Sequence, residues 1–211
     1  MTKGNKNIAI VGAGGLGKEI LVLIQQLNLI KPTWNVIGYY DDNFKDTVAG
    51  TPVLGNVSML NTYAEPLAVI VALGNPFVKQ EIVNKLVNPK LYFPILIHPQ
   101  ATVGMNVKIE HGTIITAGCR LTVDINLGRH VLINLNSTIG HDVSIGDFTS
   151  VMPGVHISGN VLVGSEVMIG TGASVLQRIT IGDGATVGAA ALVTTNVKAG
   201  STVIGIPARE K

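Results

Sequence analysis

Little in this sequence points to a disulfide scaffold, a nucleic acid or a lipid bilayer. One cysteine, Cys119, among 211 residues excludes an internal disulfide and fits a reducing compartment. Charge of either sign is sparse. Fifteen Lys and Arg against 13 Asp and Glu leave a formal net charge of +2, and the basic residues are scattered, so no nucleic-acid footprint is present. No uninterrupted apolar run approaches the roughly 18 residues of a membrane span. The opening MTKGNKN leads into an expected strand with no signal-peptide apolar region, so a cytoplasmic protein is expected.

What the chain does have is a period. From Ile97 to Val193 every sixth residue is Ile, Val or Leu, seventeen in succession, including Val103, Ile109, Ile115, Leu121 and Ile139. These three residue types make up about a third of the chain, so chance gives such a run on the order of one time in a hundred million. Four residues after each hit comes a second small or aliphatic residue, as at Val107, Thr113, Cys119, Val131, Ser137, Val143, Ala173 and Ala185. Gly follows the hit directly in eight hexads, and Asn134 takes the same slot in another. Both types tolerate positive φ, so the sharp corners are expected there. A hexad is a short strand plus a corner, too small to bury its own apolar face. Three hexads close one triangular coil, and stacked coils bury a continuous aliphatic column. Spacings of four and two do not line one face of a helix. The pattern predicts a parallel β-helix of five to six coils. Cys119 falls in an inward slot and is expected in the core.

The first ninety residues alternate strand and helix: strands at Asn7–Ala13, Val36–Tyr40, near Val53 and at Leu67–Leu73, with helices after Gly17, near Val57–Thr62 and from Phe77 to Leu86. Phe93–Ile97 then leads into the coil. This alternation predicts a small Rossmann-like parallel α/β domain over 1–96, followed by the β-helix over 97–211. Gly12, Gly14 and Gly17 form G-x-G-x-x-G between a strand and a helix, with Asp41 at the end of the next strand. Such glycines either let a nucleotide phosphate approach the backbone or serve only the tight turn and helix packing. The domain is short for a full dinucleotide fold, so a nucleotide attached to a sugar fits better than NAD.

Three motifs occur in order: VGAGGLGKEI at Val11–Ile20, NLNSTIGHD at Asn134–Asp142 among the hexads, and GIPAR at Gly205–Arg209. Together they resemble the hexapeptide-repeat sugar O-/N-acyltransferases, typified by sialic acid O-acetyltransferase and the N-acetyltransferases of UDP- or GDP-linked 4-amino sugars. The resemblance spans essentially the whole chain. It implies a left-handed β-helix, a homotrimer, acetyl-CoA as co-substrate in the groove between neighbouring coils, and a role in surface-glycan (lipopolysaccharide or capsule) biosynthesis. It implies His141 as general base and Asp142 as the acidic neighbour that raises its basicity. Gly14, Gly15, Leu16, Asp41, Asp42, Gly74 and Asn134 would contact the sugar acceptor. Ser150, Gly170, Thr171 and Gly188 would contact the coenzyme. Many relatives carry His where this chain has Leu16, and some where it has Ser150. No metal is implied.

The chemistry is consistent with these residues. Acyl transfer from a thioester needs a base near neutral pKa, which His supplies. His141 stands third in its hexad, outside the inward slots, and should project outward. Neighbours on a strand point to opposite faces, so pairing His141 with Asp142 requires a bend after Gly140. No Ser or Cys nucleophile motif accompanies the site, so direct transfer through a ternary complex is expected, to nitrogen or to oxygen. His98, His111, His130 and His156 read as surface or junction residues, and Lys198 and Arg209 as solvated tail charges. Two other functions compete. A γ-carbonic-anhydrase-type metalloenzyme needs paired His at spacing five, which this chain lacks. A non-catalytic trimeric module sensing NAD through the first domain is the other.

Overall fold

The computed structural model describes residues 5–43 and 46–211. The chain divides into two compact units. One takes in the chain up to Gly74 together with Val78–Pro94; the other takes in Asn75–Phe77 and Ile95–Lys211.

The first unit is a three-layer α/β arrangement built on β1 (Lys6–Val11), α1 (Gly15–Ile30), β2 (Trp34–Tyr40), β3 (Thr47–Val48), β4 (Thr51–Gly55), β5 (Leu67–Val71), α2 (Pro76–Lys85) and β6 (Leu91–Tyr92). The sheet order is β3-β4-β2-β1-β5-β6, with every neighbouring pair parallel except the β3–β4 hairpin. Ile8 to Val11 and all of β5 are buried, as expected of central parallel strands covered on both faces. Helix α1 buries Ile20, Leu21, Leu23 and Ile24. The sheet has six strands, more than its length suggested, but β3 and β6 hold two residues each. One expectation is corrected. Val57–Thr62 is a 3-10 turn, its short length favouring the tighter winding. As expected, residues 93–97 lead into the coil: β6 ends at Tyr92, and Leu96–Ile97 forms the first rung.

The second unit is the left-handed parallel β-helix. Two-residue strands alternate with corners and stack into three parallel faces. The first face runs through Leu96–Ile97, Ile114–Ile115, Leu132–Ile133 and upward to Thr202–Ile204, where Arg209–Glu210 closes it as an antiparallel strand. The second begins at Thr102–Val103 and the third at Lys108–Ile109. Up to Val193 partners are 18 residues apart, three hexads per coil, as in Thr138↔His156 and Ile139↔Ile157, and the last coil is shorter, Thr186 pairing with Thr202. Each inward aliphatic residue therefore stacks on its counterpart one coil away. Ile115, Ile133, Ile139, Val151 and Ile169 have no exposed surface. Val103 is 39 % exposed, because the first coil has no layer beneath it.

Hydroxyls inside this column are satisfied by a repeated device. Ser137 donates to the Met152 carbonyl (3.1 Å) and accepts from the Val155 N–H (3.3 Å). Thr113 and Thr149 do the same in their coils. Cys119 lies in an equivalent slot, fully buried, its thiol 3.3 Å from the Asn134 carbonyl. Burial pushes its pKa upward, so it stays an unreactive thiol.

The corner geometry differs from the expectation. The glycines that directly follow the inward aliphatic residue do not adopt positive φ. The left-handed residue comes two positions later: Asn106, Gly112, Gly118, Asp124, Asn136, Asp142, Gly154, and onward. Asn134 likewise keeps an ordinary φ. Glycine is selected after the hit by space. A Cβ on Gly140 would stand 2.8 Å from the Gly159 nitrogen, and one on Gly170 would stand 2.6 Å from the Ala189 nitrogen.

Two outcomes follow from this packing. Ile169→Ala, which opens a cavity in the closed column, lowers unfolding free energy by about 2–5 kcal/mol in urea titration. Thiol reagents label Cys119 only on the unfolding timescale, as mass spectrometry of a labelling time course reads directly.

Candidate active site

In the first unit the glycine motif divides by physical role. Gly12 has φ +98, and a Cβ there would meet the Ala72 carbonyl oxygen at 2.9 Å. A Cβ on Gly17 would lie 2.0 Å from the Gly12 carbonyl oxygen, so Gly17 lets α1 sit against β1. A Cβ on Gly14 or Gly15 would meet nothing within 4 Å. Packing therefore explains the first and last glycines of the motif. Gly14, the N-cap of α1, instead leaves open backbone at a helix N-terminus, where an anion is favoured. Leu16 follows on the first turn, half-buried.

A pocket opens at the carboxyl ends of β1, β2 and β5, where the strand order reverses. Val11, Gly12, Asp41, Asp42, Val57 and Leu73 are among its lining residues. Asp41 accepts a hydrogen bond from the Ala13 N–H (2.8 Å) and another from the Asn43 N–H (2.8 Å). Asp42 accepts from the Val57 N–H at 2.9 Å, capping the 3-10 turn. Both carboxylates thus hold the loops that frame the pocket. Gly74 lies directly after Leu73, in the connection from β5 to α2.

In the β-helix, His141 and Asp142 form the corner between Thr138–Ile139 on the second face and Ser144–Ile145 on the third. Asp142 is left-handed, φ +58. That reversal is the bend the pairing required: it turns two sequence neighbours to the same side. The His141 Nδ1 lies 2.7 Å from Asp142 Oδ2, and both side chains are about half exposed. An ionised carboxylate only accepts, so in the neutral imidazole this contact selects the Nδ1–H tautomer, with Nε2 as the acceptor. The backbone is fixed above and below by Asn160 N–H to the His141 carbonyl (2.8 Å) and Asp142 N–H to the Val123 carbonyl (3.2 Å).

Beside this corner a shallow groove runs along the second face, lined by Arg120, Thr122, Thr138, Gly140, His156 and Ser158 with the edges of Ile139 and Ile157. Thr138 Oγ1 and His156 Nδ1 are 2.8 Å apart across successive coils. Sequence reasoning passed over Arg120 and His156. Their shared alignment was available only through the 18-residue spacing. His130 also departs from its expected surface position. It is 3 % exposed and stacked on Phe148, centroids 5.3 Å apart, because both occupy the same left-handed corner slot one coil apart.

The other expected contacts lie at a different corner, between the first and second faces. Asn134 is buried there, its Oδ1 accepting from the Leu135 N–H (2.8 Å) and facing Thr116 Oγ1 (3.3 Å). Gly170, Thr171 and Gly188 stack above it, Thr171 exposed. Ser150 is fully buried on the first face. Within one chain the structure joins His141 to Asp142 and gathers Asn134, Gly170, Thr171 and Gly188 at the neighbouring corner. Among the described residues no group of three or more His, Cys, Asp or Glu is arranged to hold a metal ion, and no helix is long and apolar enough to cross a membrane.

Comparison with known proteins agrees with this architecture. Residues 7–86 match the PglD N-terminal domain family. The acetyltransferase domain of PglB from Neisseria gonorrhoeae FA1090 superposes with a TM-score of 0.90 at 32 % identity, covering 98 % of this chain and 100 % of that one; it has also been solved with acetyl coenzyme A. PerB from Caulobacter crescentus, solved with CoA and GDP-perosamine, superposes with a TM-score of 0.88 at 27 % identity, over 100 % of this chain and 98 % of that one. The UDP-N-acetylbacillosamine N-acetyltransferase of Bacillus subtilis (strain 168) is 35 % identical over 116 residues, 53 % of this chain and 52 % of that protein. The match therefore spans about half the length of that curated relative. The chain belongs to the hexapeptide-repeat sugar acetyltransferase family.

The two kinds of glycine in the first unit separate experimentally. Gly17→Ala forces α1 off the sheet and lowers the melting temperature by about 5 °C or more, whereas Gly14→Ala melts within about 1 °C of the native chain. Differential scanning calorimetry on both variants checks this.

Proposed function

We propose that this protein transfers the acetyl group of acetyl-CoA to the amino group of a nucleotide-linked amino sugar, with His141 as general base. The observation that carries this reading is the His141–Asp142 pair, 2.7 Å apart on an exposed corner with Nε2 left to accept a proton. The bound ligands named for the relatives support the substrate class: acetyl coenzyme A with the PglB domain, and CoA with GDP-perosamine in PerB. The relatives' names favour nitrogen over oxygen as the acceptor atom.

The transfer is direct. The sugar amine attacks the thioester carbonyl, forming the N–C bond, while His141 Nε2 takes the proton the nitrogen sheds. Collapse of the tetrahedral intermediate breaks the C–S bond, and the coenzyme A sulfur leaves as thiolate and takes up the proton held by the His141 imidazolium. Asp142 holds the imidazole in the Nδ1–H tautomer and stabilises the imidazolium during transfer. The protein supplies the base itself, so the step as written needs no metal.

We assign acceptor recognition to the domain over 1–96 and acyl chemistry to 97–211. In the first, the open backbone of Gly14 and Gly15, with Leu16 and Gly74 beside it, takes the nucleotide-sugar. Asp41 and Asp42 shape its pocket. In the second, Gly170, Thr171 and Gly188 serve the coenzyme and Asn134 the acceptor, whereas Ser150, with no exposed surface, offers the coenzyme no contact. A homotrimer, placing the coenzyme between neighbouring coils, and a cytoplasmic role in surface-glycan biosynthesis complete the reading.

A thiol-release assay with acetyl-CoA against UDP-, GDP- and TDP-linked 4-amino sugars and free sialic acid tests it. Turnover with at least one nucleotide-linked amino sugar is expected; turnover with sialic acid alone would overturn the acceptor class. His141→Ala lowers turnover by roughly 10²–10⁴ with the fold intact; a near-native rate removes the base assignment. Asp41→Ala raises KM for the acceptor by about tenfold or more and leaves KM for acetyl-CoA within about twofold, since loss of one loop tie of about 1.4 kcal/mol acts only on the first site.

A further inference from the structure

The imidazole of His141 abuts one particular residue of the next coil. Position 159 is 18 residues on, so it stacks directly on His141 at the same corner. A Cβ built on Gly159 would fall 2.4 Å from Nε2, 2.5 Å from Cε1 and 2.9 Å from Cδ2 of that ring. Real Cβ atoms do not approach so closely, so any side chain here must turn the imidazole away. No other feature of the site demands glycine. Gly159 does not adopt positive φ, unlike Gly154 or Gly172. No backbone atom stands among the three nearest neighbours of its hypothetical Cβ, unlike Gly140 or Gly170. In the corresponding slot of every other hexad from Met105 to Ala189 the chain carries a side chain, among them Val123, Gln177 and Asp183.

We infer that Gly159 is a positioning residue for the reaction: its missing side chain fixes where the His141 ring lies and keeps Nε2 open to the attacking amine. The ring is held on its two sides by different means. Asp142 fixes the Nδ1 edge by a hydrogen bond, and the Gly159 backbone supplies a floor beside the Nε2 edge. A methyl group on that floor displaces Nε2 from the point where it meets the amine. General-base catalysis depends on that heavy-atom distance to within a few tenths of an ångström. The inference rests on His141 being the base, and its test separates the two statements.

Gly159→Ala is combined with His141→Ala in a double-mutant cycle read by both stability and turnover. In the native background Gly159→Ala lowers the melting temperature by about 2–4 °C, the size of one strained rotamer. In the His141→Ala background the same change leaves the melting temperature within about 1 °C, because the space vacated by the ring receives the methyl group. Turnover falls about 100-fold in the single variant, with KM for acetyl-CoA within about twofold, and the double variant is no slower than His141→Ala alone. Additive melting shifts show that the methyl group meets something other than the imidazole, and they overturn the inference whatever the activity. So does Gly159→Ala with turnover within about threefold of native. Coupled stability alongside full activity in His141→Ala leaves the contact intact and sinks the base assignment instead.

Discussion

A coil of 18 residues that repeats without slippage from Leu96 to Val193 governs everything else in the second unit. Thr138 pairs with His156 and Ile139 with Ile157, so each residue's neighbours above and below are set by arithmetic. The aliphatic column forces that register. A one-residue slip would turn Ile139, Val143 and Ile145 outward and bring Gly140 and Ser144 into the core. The backbone ladder, from Gly140 N–H to the Ile157 carbonyl at 2.8 Å for example, then ties each layer to the next. A corner residue held in this way cannot drift.

The site uses that rigidity. Ordinary strand geometry would send the side chains of His141 and Asp142 to opposite faces. The corner instead places Asp142 at φ +58, where Asp is among the better tolerated non-glycine residues, and the two side chains meet. The same conformation recurs at Asn106, Asp124 and Asn160 in this corner without a histidine before it. A common structural device becomes a hydrogen-bonded His–Asp pair at the one coil of this corner where His precedes the turn and Gly stands one coil on.

The first unit solves a different problem with the same residue. Gly12 and Gly17 are there because a helix and a strand approach closely, and Gly14 and Gly15 leave backbone uncovered at the helix start. A motif of three glycines therefore contains two packing positions and one open position. Asp41 and Asp42, which the resemblance implied as acceptor contacts, accept hydrogen bonds from Ala13, Asn43 and Val57. They shape the pocket by holding its rim.

The amino-acid order alone determined the period, and with it the β-helix, the inward set from Ile115 to Val193, the buried thiol of Cys119 and the α/β unit before it, because burial of an apolar face is a one-dimensional pattern that can be counted. It also marked His141 as outward. It misplaced the corners, since a glycine chosen for left-handed φ and a glycine chosen for close approach are the same letter; only coordinates distinguish Gly118 from Gly140. It likewise misjudged His130, whose burial comes from stacking on Phe148 one coil away. Tertiary structure alone decided that Asp142 turns back onto His141 and that Gly159, one coil on, stands against the ring. Both depend on where a side chain points after the chain has bent and stacked on itself.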